Sequence, residues 1–286
     1  MFALRLVSNS SVRRRTGALV LFWLLAAAGF GALAGLSGCA TSQDALVDAP
    51  KEQRAASNDN DARKRASTRL ALAVGYFQDG KNSIALDEVK KAMQADPGFG
   101  DAYALGGAIY MAMNNLSQAQ AHFEKALSLN PHNADAMHNT GMLKCRQKQY
   151  DAATTWFQRA IAEPEYPNTG KANSWLMQGA CQTASGERAK AEESLMYAFR
   201  FDPSNPAIEY NLAKLLFDRG DLERARFYIR RLNNSEHANA ESLWLGIRVE
   251  RRMNNDQAVD QLGLQLGRRF PDSSQFSAYE RGAFDD

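Results

Sequence analysis

A chain of 286 residues, 45% hydrophobic and 23% charged, has the composition of an ordinary water-soluble helical protein. Its formal net charge of +2 excludes the globally basic surface expected of a nucleic-acid-binding protein. Length by itself would suggest about two domains, unless the chain grows by stacking repeats around a continuous core.

The first 39 residues stand apart from the rest. Arg13, Arg14 and Arg15 precede an uncharged apolar run over 17–35, the pattern of a secretory signal, and residues 1–38 are predicted to be a signal peptide. The run ends in Leu36-Ser37-Gly38-Cys39, which resembles the bacterial lipobox, where cleavage precedes a cysteine that already carries diacylglycerol on its thiol. Cys39 is therefore the expected lipidation site, and the covalent diacylglycerol and N-acyl lipid is the only attached group implied; no cofactor is expected. The competing reading is an uncleaved inner-membrane anchor, because the run is nearly long enough to span a bilayer. Removal of 1–38 takes away four arginines and no acid, leaving 30 basic and 32 acidic side chains and a net charge of −2. Ala40 stands where an aspartate would signal retention, which resembles lipoproteins passed on to the periplasmic face of the outer membrane. Residues 39–65, rich in Asp, Ala, Ser, Asn and Lys, are expected to form the lipidated N-terminus and a flexible tether.

Beyond the tether, small residues recur at a step of 34. Ala85, Ala119 and Ala153 follow it, and after four inserted residues Ala191, Ala225 and Val259 resume it. Val89, Phe123, Phe157, Leu195 and Ile229 trail by four, and Ala92, Ala126, Ala160, Ala198, Leu232 and Leu266 by seven. Positions i, i+4 and i+7 share one helix face. Twelve residues upstream lie Ala73, Gly107, Gly141, Gly179, Ala213 and Ile247, where a small side chain lets a first helix press against a second. This spacing, with Pro97, Pro131, Pro203 and Pro271 closing four units, resembles the tetratricopeptide repeat. The resemblance implies an all-α superhelical solenoid of six helix-turn-helix units at 66–99, 100–133, 134–171, 172–205, 206–239 and 240–273, followed by a tail, 274–286. Trp175 stands near the start of the fourth unit, where the family favours tryptophan. The four extra residues are assigned to the turn around Pro164 and Pro167. His237 replaces a proline and Gly263 a large apolar residue, so the sixth pair is expected to be looser.

The array offers no catalytic constellation, and the protein is expected not to be an enzyme. His122, His132, His138 and His237 are scattered, and neither an HExxH nor a paired-cysteine zinc pattern occurs. The segment Gly75 to Asn82 approximates a phosphate-cradling loop but lacks the hydroxyl for magnesium, so no nucleotide is expected. With Cys39 acylated, Cys145 and Cys181 remain, on neighbouring first helices. They are either a disulfide permitted by the periplasm or two small buried thiols.

The repeat family lines its concave groove with fixed positions of each first helix. Carried onto this chain, those positions are Leu70, Val74 and Phe77, then Ala104, Ala108, Met111 and Ala112, an apolar N-terminal stretch. They continue with Asp135, His138, Met142 and Arg146, then Tyr210, Lys214, Phe217 and Asp218, and finally Glu241, Trp244, Arg248, Arg251 and Arg252, a mixed stretch turning basic. The N-terminal stretch is the expected partner seat, unless residues 40–65 or a tighter superhelix cover it.

A lipid anchor, a tether, six such units and a terminal Arg268-Arg269-Phe270-Pro271-Asp272-Ser273 segment together resemble the PilF/PilW family of type IV pilus biogenesis and stability lipoproteins. The likeness is clearest at Leu70-Ala-Leu-Ala-Val-Gly75-Tyr76, Ala85-Leu86 and Ala92. It implies a pilotin-like role, with the pilus secretin as protein partner, other pilus assembly proteins as further candidates, and outer-membrane lipid met through the anchor. The alternative is a lipoprotein adaptor that recruits peptidoglycan hydrolases or synthases.

Overall fold

The computed structural model describes the backbone of residues 51–284, with side chains from residue 59 onward. The expected signal peptide, the expected lipidation site Cys39 and the first part of the expected tether lie outside the described residues. Thirteen helices and no strands occur among the described residues. They pair in sequence: α1 (Lys51–Gln78) with α2 (Asn82–Ala95), α3 (Gly100–Ala112) with α4 (Leu116–Leu129), and α5 (Ala134–Arg146) with α6 (Tyr150–Ala162). Three further pairs follow: α7 (Asn168–Ala184) with α8 (Arg188–Phe201), α9 (Pro206–Arg219) with α10 (Leu222–Asn233), and α11 (Ala240–Arg252) with α12 (Asp256–Arg269). A short α13 (Ser274–Glu280) closes the stack. The chain is an all-α tetratricopeptide-type solenoid, in which each pair packs on the pair before and after it. None of the described helices is long and apolar enough to cross a membrane.

The helices begin and end where local chemistry dictates. Asn115, Asn133, Asn205, Asn239 and Asn255 each accept a backbone N–H in the first turn of the helix they cap. Within every pair the turn passes through one residue of positive φ: Gly80, Asn114, Lys148, Gly186, Gly220 and Asn254. These six follow the same 34-residue step with the same four-residue jump, so the reversal is written into the sequence at a fixed place.

Packing within a pair rests on the small-residue ladders. Ala85, Val89 and Ala92, like Ala153, Phe157 and Ala160, are fully buried. A Cβ on Gly141 would lie 2.8 Å from the Phe157 ring, and one on Gly179 2.7 Å from Leu195. Such distances explain why the first helix carries glycine opposite the largest residue of the second. The largest core cluster runs through the later units and joins Leu176, Leu195, Leu212, Leu216, Ile229 and Val249. A disulfide between Cys145 and Cys181, with Cα atoms 5.9 Å apart, ties α5 to α7.

Three expectations require correction. The tether is not flexible up to residue 65, because α1 reaches back to Lys51. Ala66 is fully buried, Arg63 pairs with Asp96, and its guanidinium lies 4.6 Å over the Phe99 ring, so the end of the first unit supplies a surface on which the helix continues. The four inserted residues do not enlarge the turn at Pro164 and Pro167. They lengthen α7 to 17 residues, against 13 or 14 in the other first helices from α3 onward, which is about one extra helical turn. The sixth pair is also not left loose by Gly263. A Cβ there would lie 2.1 Å from Tyr279 Cζ, and Phe276, Tyr279 and Phe284 pack onto the Leu243, Ile247, Val259 and Leu266 cluster, so the tail fills the space that the missing side chain leaves.

Candidate functional site

The N-terminal groove positions do not form an open apolar seat. Ala104 and Met111 are 5% and 6% exposed, closed into the seam where one repeat rests on the next. Met111 packs with Ala119, Phe123 and Leu143, with Met142 beside it. Leu70 leans on Ala66, Ala92 and Phe99, and Phe77 on the Ala73, Ala85 and Val89 core. Ala108 is half-buried, and only Val74, at 37%, and the small Ala112 remain open. The cause is geometric: positions expected to face a ligand pack instead against the second helix of their own pair, as Leu70 and Phe77 do, or into the junction with the next pair, as Ala104 and Met111 do.

The middle of the groove is polar and occupied. Asp135 and His138 project from α5 toward α7, where His138 Nδ1 is hydrogen-bonded to Ser174 Oγ at 2.8 Å. The extra turn of α7 brings Gly170 beneath the Tyr166 ring and sets the Tyr166 hydroxyl beside Asp135 and Ser174. Burial drives all three titrations away from charge. The His138 imidazole falls to about 4 and the Tyr166 phenol rises to about 12, while Asp135 is also raised, with Asp101 adding to the effect. Ser174, at the inner end of this chain of groups, is fully buried, whereas Asp135 is exposed at its outer end. Arg146, expected to line the groove, caps the preceding first helix by donating to the Met111 carbonyl at 2.7 Å and to Asn114 Oδ1 at 3.0 Å.

The C-terminal positions do converge. Tyr210, Lys214 and Phe217 from α9 face Glu241, Trp244 and Arg248 from α11 across a cleft of about 210 Å³, and Gln275 of α13 contributes a third wall. Phe217 is the floor. The Arg248 and Arg252 guanidinium groups stand 5.1 and 4.5 Å from its ring centroid, a cation–π arrangement. Arg252 also donates to the Phe217 carbonyl at 3.4 Å, so it is partly spent as a cap, as Arg146 is. Lys214 is paired with Asp218 at 2.8 Å, and Arg251 with Asp256 at 2.9 Å. Arg248 has no ion pair among the described residues, and its buried Nε has no hydrogen-bond partner. Trp244 stacks on Phe284 with ring centroids 5.7 Å apart, which holds the indole upright at the cleft wall. Burial raises the Tyr210 phenol, Glu241 and Asp218 add to the rise, and Arg248 opposes it.

Sequence spacing therefore places Tyr210, Trp244, Arg248 and Arg252 together but disperses the N-terminal set. It misses Gln275, Phe284, Tyr166 and Ser174, the first two because they lie beyond the last repeat and the others because the insertion breaks the period. The one sequence signal for the tail was the absent side chain at Gly263. Among the described residues no group of three or more His, Cys, Asp or Glu is placed to hold a metal ion, and Gly80 of the phosphate-loop decoy sits in the α1–α2 turn with φ +74°.

Comparison with known proteins places this geometry in context. Two family models, each described as Tetratricopeptide repeat, match residues 105–168 and 182–244. The type IV pilus assembly protein PilF of Pseudomonas aeruginosa is 27% identical over 246 residues, spanning 86% of this chain and 94% of that protein. A solved structure of Pseudomonas aeruginosa PilF superposes with a TM-score of 0.66 at 25% identity, over 77% of this chain and 99% of that one. The crystal structure of PilW, described as a widely conserved type IV pilus biogenesis factor, gives 0.67 at 26% identity over 74% and 97%.

Proposed function

The chain is a tetratricopeptide-repeat protein similar to PilF and PilW, and from that premise we propose that it serves type IV pilus biogenesis as a non-enzymatic, lipid-anchored scaffold. It sits on the periplasmic face of the outer membrane through Cys39, binds the pilus secretin, and promotes the secretin's localisation and multimerisation there. One observation carries this reading: the likeness to PilF and PilW spans nearly the whole array, with 97% to 99% of the solved relatives covered, instead of one generic repeat pair. The lipid raises the local concentration of the array at the bilayer, and the groove supplies protein contacts, without a reaction to catalyse.

The test combines fractionation with an assay of heat-resistant secretin multimers in cells lacking the protein and in cells given back the wild type. The expected result is loss of outer-membrane multimers and of surface pili in the deletion strain, and recovery of both on return of the gene. Normal multimers and pili in the deletion strain would remove the secretin from the proposal.

A further inference from the structure

One face of α1 lacks the neighbour that the same face of every later first helix has. Thr68, Leu72 and Gly75 share one side of α1, and all three are exposed. Their counterparts along the repeat are closed. Those of Thr68 are Ala102, Ala136, Ser174, Ile208 and Ser242, each 0% exposed. Those of Gly75 are Ile109, Leu143, Cys181, Leu215 and Val249, none above 5%. Each later first helix rests this face on the pair before it, as Ile109 does in joining the Ala73, Ala85 and Val89 cluster. Among the described residues no pair precedes α1, and a Cβ added at Gly75 would meet nothing within 4 Å.

We propose that a second copy of the chain covers this face, through a two-fold, antiparallel pairing of α1 with α1 in which Leu72 of each copy enters the hollow over Gly75 of the other. The inference stands independently of the secretin assignment. A two-fold contact has to be self-complementary, and this helix carries both halves of one. Leu72 is a 46% exposed apolar knob, and the open hollow at Gly75 lies three residues on. Charge sets the direction. With Leu72 over Gly75, antiparallel helices bring Arg65 of one copy within a turn of Asp79 of the other, whereas parallel helices set Lys64 and Arg65 against their own duplicates. Asp79 pairs with Lys81 at 3.0 Å, an exposed contact that costs little to exchange. Other occupants fail on reach or access. Leu46 and Val47 are the large apolar residues of the segment before α1, and Leu46 extends at most about 18 Å back from Lys51. Leu72 lies about 32 Å along the helix from that point, so the chain cannot fold its own segment over the face. Head-to-tail stacking of copies is closed off as well, because α13 packs on α11 and α12 and occupies the far end of the array.

The test is sedimentation equilibrium of the full mature chain in density-matched detergent. The expected result is a dimer in the micromolar range. Leu72→Glu and Gly75→Gln change residues on the open face, so both should keep the helical circular dichroism while weakening the dimer at least tenfold. Arg65→Glu should also weaken it, and Arg65→Glu combined with Asp79→Arg should recover most of the loss, a rescue that shared detergent micelles would not produce. A wild type that sediments as a monomer throughout the micromolar range overturns the proposal and leaves the face to a helix of another protein. A dimer indifferent to Leu72→Glu overturns it too, as does a dimer weakened by Arg65→Glu that Asp79→Arg fails to restore.

Discussion

At the scale of single residues, the array shows where a repeat pattern is obeyed at a cost. Five of the six intra-unit turns pass through glycine or asparagine at positive φ, but the third uses Lys148 at φ 60°. The left-handed region costs an ordinary side chain about 1 kcal/mol or more, which glycine does not pay. Lys148→Gly is therefore expected to stabilise the protein by about 0.5–1 kcal/mol, read as a higher urea midpoint with an unchanged slope; a lower midpoint would show that the lysine makes a compensating contact. His138 illustrates a second cost. Its imidazole stays neutral in the folded chain down to about pH 4, against 6.5 ordinarily, because burial disfavours the charged ring. Between those values the unfolded chain binds a proton that the folded chain refuses, so stability present above pH 6.5 is lost as pH falls, by about 1.4 kcal/mol per unit at most. Asp135, raised by the same burial, acts in the opposite sense. Comparison of wild type with His138→Gln at pH 7 and pH 4.5 isolates the imidazole: the wild type should lose more stability than the variant, and parallel losses would deny His138 the role.

At the scale of helices, the sequence is most legible where a residue's job depends only on its own unit. Ala85, Phe123 and Gly141 belong to contacts inside a pair, repeated at a fixed step, and spacing alone identifies them. Met111 and Ala104 occupy regular positions too, yet whether they face a ligand or the next first helix depends on how tightly successive pairs close, which no single unit encodes. Gln275 and Phe284 lie outside the period altogether, so the wall they add to the C-terminal cleft appears only once α13 is docked. That docking is testable. A chain ending at Ser273 would lose Phe276, Tyr279 and Phe284 from the cluster around Leu243 and Leu266. The expected outcome is faster amide exchange confined largely to α11 and α12, since distant pairs make no contact with the tail. Uniform exchange in all six pairs would contradict this. The disulfide acts at the same scale but in the middle of the stack. Its two cysteines are 36 positions apart, and the closed loop constrains the unfolded chain, so Cys145→Ala with Cys181→Ala should cost about 2–4 kcal/mol in urea denaturation without altering the helical spectrum. A negligible loss would mean that helix packing alone holds α5 against α7.

For the whole molecule, the proposed anchor and the array divide the work between concentration and recognition. Tethering a binding module near its partner gives an effective concentration in the millimolar range for a short flexible linker, with no new contact required. Residues 40–50 separate Cys39 from α1 and could span at most about 40 Å when fully extended, so an array lipidated at Cys39 would stay within one bilayer thickness or so of the membrane surface. If the lipid serves only to concentrate the scaffold, Cys39→Ser should release it to the soluble periplasm and reduce secretin multimers at native expression. Raising the level of the released protein should then restore multimers in a graded manner, because mass action replaces the tether. Membrane fractionation and multimer yield across an expression series would measure both effects. Recovery that never exceeds the deletion background, at levels well above the native one, would show that the acyl chains orient the array or enter the assembly directly. A variant that remains in the outer membrane would mean that Cys39 is not the anchor.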